Sequence, residues 1–381
     1  MKKIFNTIFY LACAFIITIL GLLSYHYHKA PLRETPAPYV MAPETYGPDE
    51  VASNADVLIV GDEMGVSISP FINDITTQLS KKLARPLSIY NISSKGDSLY
   101  RTIQRVAALK KVPKILILAT GYSELQEDIY PKKKEAIKLN NQNFKLFKNL
   151  YIQSLIKLHP NLSRLIFLNE DLKQLTSEIE PLEFDKLSPE RFRSILEKEL
   201  LLYDIRLEKF FRTLKAKGVN ILTVIPPINM EINDLRICED TNGLEFEEAL
   251  KKLDTLLSES KTKEAHVLVQ SLEKNILANT KFHQLKQEFF EKQGEITKAY
   301  DQALQKVAFA CEVKSSHPLF VKQLEKISTH QNVDIVNYNE VLKQNYTRNP
   351  LFISNKVPQS IYYPKLVSEL VIKLKQITQL K

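Results

Sequence analysis

Four short turns carry the side chains best suited to chemistry: Gly61-Asp62-Glu63, Gly96-Asp97-Ser98-Leu99, Gly121-Tyr122-Ser123-Glu124 and Ser354-Asn355-Lys356-Val357. A serine nucleophile needs a base within hydrogen-bond reach and donors aimed at the developing oxyanion. Ser98 has no identifiable histidine partner, and none of the seven histidines follows His330. Its competing role is structural: Gly96 makes a turn and Asp97 or Ser98 caps a helix running toward Leu109, which is the preferred reading. Glu63 and Glu124 fall on neighbouring turns, so a carboxylate pair could bind a cation or divide acid and base work, although no third ligand is in view. Asp62 is suited to holding its turn by accepting backbone N–H groups. His26 and His28 are spaced like a metal pair on a strand but are better read at a membrane headgroup level beside Tyr25 and Tyr27. His317 and His330 read as surface or core residues. Three cysteines far apart in sequence, one of them in an apolar run, argue against a disulfide framework or a thiolate zinc site. No cofactor and no metal are expected.

The elements that must position these turns alternate in type. Val57-Leu58-Ile59-Val60 is a continuous apolar run, as a strand buried on both faces requires. Helical spacing follows from about Ser67 to Leu83, then a strand over Pro86–Ile92, a helix over Ser98–Leu109 and a strand over Lys114–Ala119. The rhythm resumes with a helix over Leu200–Lys217, a strand over Val219–Ile225 stopped by Pro226-Pro227, a fifth strand over Val333–Val336 and a terminal helix over Pro364–Gln379. Alternation at this spacing predicts βαβ units and a parallel sheet covered on both faces. Between Gly243 and Cys311 strand signals give way to helical pattern. Ala265 and Ala299 lie 34 residues apart in similar frames, a period that resembles the tetratricopeptide repeat, with an ordinary helical hairpin as the alternative. Ligands gather at the carboxyl ends of parallel strands, so this insertion could overhang them.

With the strands in place, the glycine turns after the first, second and third of them resemble the blocks of the SGNH (GDSL-type) hydrolase superfamily. The likeness runs from about Asp56 to Lys381, the helical insertion excepted. It implies a three-layer, flavodoxin-like α/β fold with a parallel sheet and the insertion between the fourth and fifth strands. It also implies roles by position. Glu63 stands where the family has its nucleophilic serine, Gly96 where a glycine amide serves the oxyanion hole, and Ser123 where an asparagine does. In the last block Ser354 and Val357 stand for the aspartate and the histidine base. The literal Gly-Asp-Ser-Leu string at 96–99 follows the second strand and so occupies the second block. The pocket implied by these turns comprises Asp62, Glu63, Gly96, Ser98, Gly121, Ser123 and Glu124. With serine, aspartate and histidine missing from their three places, the resemblance implies a member that has lost ester-hydrolase chemistry.

The remaining sequence bears on location. Lys2 and Lys3 precede an uncharged run, Ile4–Leu23, whose 20 residues at about 1.5 Å each would cross a bilayer. It is longer than a usual signal-peptide core and no A-x-A-like site follows, so an uncleaved transmembrane anchor with the bulk of the chain outside is favoured over a secretory signal. A lipidated Cys13 is weaker still, since Tyr10-Leu11-Ala12 is a poor lipobox. Five prolines between Ala30 and Glu50 make a semi-rigid tether. The expected organisation is an anchor (1–29), a tether (30–50), an α/β domain (51–242), the helical insertion (243–311) and the rest of the α/β domain (312–381). With 381 residues, 44% of them hydrophobic and 25% charged, the chain can bury a core and is neither disordered nor collagenous. Its formal charge of +8 is concentrated between Lys132 and Lys148, where six lysines face one glutamate. No stacking aromatics or nucleic-acid module accompany them, so a solvated basic surface is expected and nucleic acid is not. The expected function is a cell-envelope binding or scaffolding module with a glycan or protein partner, the alternative being an esterase or O-acyltransferase using Ser98, Glu63 or Glu124.

Overall fold

The computed structural model describes residues 9–10, 14–18, 20–21, 49–83, 87–125, 188–232, 235–236, 243–273, 279–311, 315–346 and 350–379. Most of the proposed anchor and tether, His26, His28, Cys13 and the Lys132–Lys148 cluster lie outside them. The chain divides into two units, Met1–Pro43 with Asp128–Glu180, and Glu44–Glu127 with Pro181–Lys381. The first is described only at short helical pieces of the Ile4–Leu23 run, whose side chains, Phe15 and Ile17 among them, are exposed. Among the described residues no helix is long and apolar enough to cross a membrane.

In chain order the second unit comprises α1 (Glu50–Asn54), β1 (Val57–Gly61), α2 (Glu63–Ile68), α3 (Ile72–Leu83), β2 (Ile89–Asn91), α4 (Leu99–Ala108), β3 (Ile115–Ala119), α5 (Pro189–Ala216), β4 (Asn220–Ile225), α6 (Gly243–Ser258), α7 (Thr262–Glu273), α8 (Thr280–Lys292), α9 (Ile296–Phe309), α10 (Pro318–His330), β5 (Asp334–Asn337), α11 (Tyr338–Lys343) and α12 (Tyr363–Gln379). The five strands form one parallel sheet in the order β2-β1-β3-β4-β5. β1 and β3 are buried along their whole length, as their unbroken apolar sequences require. Helices α3 and α12 pack on each other, and α5 packs on α4 and α10, which gives the sheet its two helical covers.

Helices α1, α10 and α11 have no counterpart in the sequence reading, and two helices that do differ from it in extent. The helix expected over Ser67–Leu83 is broken into α2, a 3-10 turn at Ser69–Phe71 and α3, because Pro70 has no N–H to donate to a continuous helix. α5 begins eleven residues before Leu200, at Pro189, with Phe192 N–H bonded to Ser188 O at 2.9 Å. Buried Phe192, Ile195 and Leu196 extend its apolar stripe backward at helical spacing.

The insertion is two helical hairpins, α6–α7 and α8–α9, with a shared core that includes Leu253, Leu257, Phe282, Leu285 and Phe289. The turns between their helices repeat at the 34-residue period. Ser260 and Gly294 both have positive φ, 58° and 73°. Lys261 N bonds Leu256 O as Glu295 N bonds Phe290 O, each at 2.9 Å. Ala265 and Ala299, one turn into the second helix of each pair, are both fully buried. The argument from sequence distance against a disulfide needs correction, since Cys311 is disulfide-bonded, to a partner outside the described residues. Distance along the chain failed as a guide because the insertion returns to its starting point: Cys311 N donates to Arg236 O at 3.0 Å.

Candidate functional site

The sheet order reverses between β1 and β3, the place where open parallel sheets usually leave a ligand crevice at the strands' carboxyl ends. Here one side chain ties together the turns that follow the two strands. Asp62, fully buried, caps α2 by accepting Met64 N–H on Oδ1 at 2.9 Å. Its Oδ2 accepts the N–H groups of Gly121, Tyr122 and Ser123 at 2.8, 2.5 and 3.2 Å. The expectation that Asp62 holds its turn is met, and the carboxylate also fastens the β3 turn to β1. Burial, with the charge of Glu63 beside it, pushes the Asp62 carboxyl up to about 7 against the pull of these N–H donors.

Backbone space explains the glycines on either side. A Cβ on Gly61, whose φ is +147°, would sit 1.8 Å from Ala119 O. One on Gly121, φ +131°, would sit 2.7 Å from the Pro226 ring. Both turns therefore approach their neighbours more closely than any side chain permits.

Glu63, at the first position of α2, lies at the centre of a three-residue bridge. Its Oε1 accepts from Lys356 Nζ at 2.8 Å and its Oε2 from Ser123 Oγ at 2.5 Å. The Glu63 and Lys356 side chains keep 15% and 18% of their exposure, whereas Ser123 is fully buried. Partial burial works to raise the Glu63 carboxyl, but the Lys356 and Ser123 hydrogen bonds and the Lys356 charge outweigh it and hold the group below its usual range.

Lys356 arrives on a closed loop. Ile353 N bonds Val357 O at 3.0 Å, Val357 N bonds Ser354 Oγ at 3.2 Å, and Phe352 bridges Pro358. The loop hangs from the segment after β4. Glu231 accepts Leu351 N–H and Phe352 N–H at 2.8 and 3.2 Å, and Asn229 Nδ2 donates to Asn355 O at 3.3 Å.

The sequence-named residues thus divide. Asp62, Glu63, Gly121 and Ser123 come together. Ser98 is the N-cap of α4, accepting Tyr100 N–H at 3.2 Å, and is 2% exposed, which matches the preferred cap reading. Gly96 makes the turn before it at φ +79°. Asp97 instead pairs with Arg105 at 2.5 Å. Glu124 is no partner for Glu63 in the bonds it makes. It is buried and accepts Leu99 N–H at 3.0 Å and Thr120 Oγ1–H at 2.7 Å, which ties it to α4. Ser354 is exposed and spends its hydroxyl on the loop, and the Val357 N–H is that hydroxyl's donor. The sequence reading named both and passed over Lys356 between them. Its signal was a cation one residue from the place where the resemblance puts the base. His317 is buried and caps α10, its Nδ1 accepting Leu319 N–H at 3.2 Å, while burial pulls the imidazole down to about 4.

Two cavities lie away from the Glu63 bridge. One of about 320 Å³ lies at the opposite, amino ends of β4 and β5, between Lys215, Asn220 and Asp334. Another of about 290 Å³ lies between α5 and α10, lined by Leu200, Leu319 and Lys322. Among the described residues no group of three or more His, Cys, Asp or Glu side chains could hold a metal ion.

No protein-family model matches the chain, and no curated protein does. Among solved structures it is similar to LAE5, an alpha/beta hydrolase enzyme from the metagenome of Lake Arreo, Spain, at 8% identity and a TM-score of 0.36, over 84% of this chain and 95% of that one. It is similar to the same extent, at 9% identity and a TM-score of 0.36 over the same shares, to the lipase/acylhydrolase from Enterococcus faecalis.

Proposed function

We propose that this protein is a membrane-anchored, outward-facing binding or scaffolding module of the cell envelope, built on an SGNH-like α/β domain that does not work as an ordinary serine esterase. One observation carries the reading. Where the resemblance calls for a nucleophile, an asparagine and a histidine base, the chain sets Glu63, Ser123 and Val357, and Glu63 is spent on hydrogen bonds from Ser123 and from Lys356, the residue before Val357. A carboxylate held in an ion pair is a poor nucleophile and would oppose a developing oxyanion rather than stabilise it. The anchor rests on the apolar run Ile4–Leu23 and its flanking lysines. The disulfide at Cys311 favours an oxidising, extracytoplasmic setting for the folded domain. The insertion, with its 34-residue period, buried alanines and matching turns, is read as a degenerate tetratricopeptide-like pair offering a partner surface.

A second reading has one contact in its favour. The 2.5 Å bond from Ser123 Oγ to Glu63 is the geometry of a nucleophile beside a base, as an esterase or envelope-glycan O-acyltransferase would need. A fluorophosphonate probe on the purified full chain separates the two. No labelling is expected under conditions that label a serine esterase completely. Labelling abolished by Ser123→Ala or by Ser98→Ala would overturn the non-enzymatic reading.

A further inference from the structure

Lys306 is a buried ammonium that the bridge at Glu63 does not use. It lies on α9 of the helical insertion, is 1% exposed, and donates to Met230 O at 2.9 Å. A buried lysine without a directly bonded carboxylate is costly, and a hydrophobic side chain of the same length would ordinarily serve a helix interface better. The carbonyl it holds belongs to the segment after β4. Directly beside Met230 are Asn229 and Glu231, from which the loop 351–358 hangs, and that loop delivers Lys356 to Glu63. A second tie runs alongside: Tyr300 of α9 accepts from Asn339 Nδ2 at 2.9 Å, while Asn339 Oδ1 accepts Ile228 N–H at 3.1 Å. Segment 228–231 is therefore held by the insertion directly at Met230 and through Asn339 at Ile228, and it holds the loop through Asn229 and Glu231.

We propose that the helical insertion controls the Glu63 site, with Lys306 as the positioning residue that keeps the Lys356 loop docked. A partner that draws α9 away from Met230 would release Lys356 and leave the Glu63 carboxylate open at the carboxyl ends of the strands. This rests on the bridge described above, and its test separates failure of the coupling from failure of the bridge.

The experiment is acetylation of the full-length chain by an N-hydroxysuccinimide ester, followed by peptide mass spectrometry of the rate at Lys356, with exposed Lys110 as internal reference. Glu63→Gln should speed Lys356 acetylation about tenfold, as loss of a charge-assisted hydrogen bond predicts, and an unchanged rate would remove the bridge and this inference together. Lys306→Met should speed it about threefold while the melting temperature stays at or above that of the wild type, because a desolvated charge has been removed. Acceleration accompanied by a lower melting temperature would make Lys306 a merely structural residue. A wild-type rate in folded Lys306→Met would overturn the coupling and leave the bridge standing. Should Lys306→Met not fold, Tyr300→Phe, which cuts only the second tie, decides by the same two readouts: a rate about twofold above wild type supports the coupling, and an unchanged rate overturns it.

Discussion

Lys356 Nζ stands 2.8 Å from Glu63 Oε1 across 293 positions of sequence, joining the first turn of the α/β domain to its last loop. Both groups are mostly withdrawn from solvent, so each is the other's principal counter-charge. The pair spans the carboxyl ends of the strands, with buried Ser123 bonded to Glu63 and Asp62 fixing the turns that carry Glu63 and Ser123.

That relationship sets a pH dependence. Folding lowers the Glu63 carboxyl below its unfolded value of 4.5, so the folded state gives up the proton more readily than the unfolded chain. The stabilisation is complete above the unfolded value and is lost as the pH falls through the lower, folded one. Glu63→Gln cannot ionise, so the wild type should exceed it by about 1 kcal/mol at pH 6 and lose that advantage as the pH falls through the folded value. Urea melts of the two proteins at a series of pH values would show this, and a constant difference would exclude the bridge as its origin.

Glycines with positive φ offer a second measurement, because the same backbone sign occurs with and without room. A Cβ at Gly61 meets Ala119 O at 1.8 Å, whereas one at Gly96 meets nothing within 4 Å. Gly96→Ala should therefore cost only the backbone penalty, about 1–2 kcal/mol, and leave the protein folded. Gly61→Ala must push β1 from β3 and should cost more than about 4 kcal/mol. Denaturation midpoints of the two variants test the order, and equal losses would mean that β1 and β3 are not as close as described.

The parallel sheet was legible in the sequence because its strands are apolar on both faces, and runs such as Lys114–Ala119 have few other readings. The start of α5 was not, because Phe192, Ile195 and Leu196 are weak evidence until the neighbours they pack on are known. At the site, Asp62, Glu63 and Ser123 were legible because each follows a strand, where topology dictates their neighbourhood. Lys356 was not. A lysine in a polar loop reads as a solvated residue, and only the suspension of that loop from Asn229 and Glu231, some 125 residues earlier, aims it inward. The disulfide was missed for a related reason: chain separation was taken for spatial separation.

The insertion's internal symmetry can be tested at its turns. Ser260 and Gly294 occupy equivalent left-handed positions with equivalent hydrogen bonds, so their difference isolates backbone strain. Ser260→Gly should raise stability by roughly 0.5–1 kcal/mol and Gly294→Ser should lower it by about as much. Opposite signs in thermal or urea denaturation are the expected result. Changes of the same sign would show that the two turns are not equivalent, and the repeat reading of the insertion would lose its support.

The Cys311 disulfide yields a count and a stability together. The chain has three cysteines, so the denatured, unreduced protein should titrate one thiol and the reduced protein all three. Cys311→Ser should lower stability by about 2–4 kcal/mol, since the unfolded chain regains the freedom the cross-link removed. The same variant should cost nothing once the wild type has been reduced. Because Cys311 N is bonded to Arg236 O, the entry and exit of the insertion are already in contact, and reduction should loosen that junction before it unfolds the sheet. Hydrogen exchange would resolve this as faster exchange at α9 than at β1 and β3 in the reduced protein. Uniform acceleration would place the disulfide's effect on the whole domain instead of on the seam between insertion and sheet.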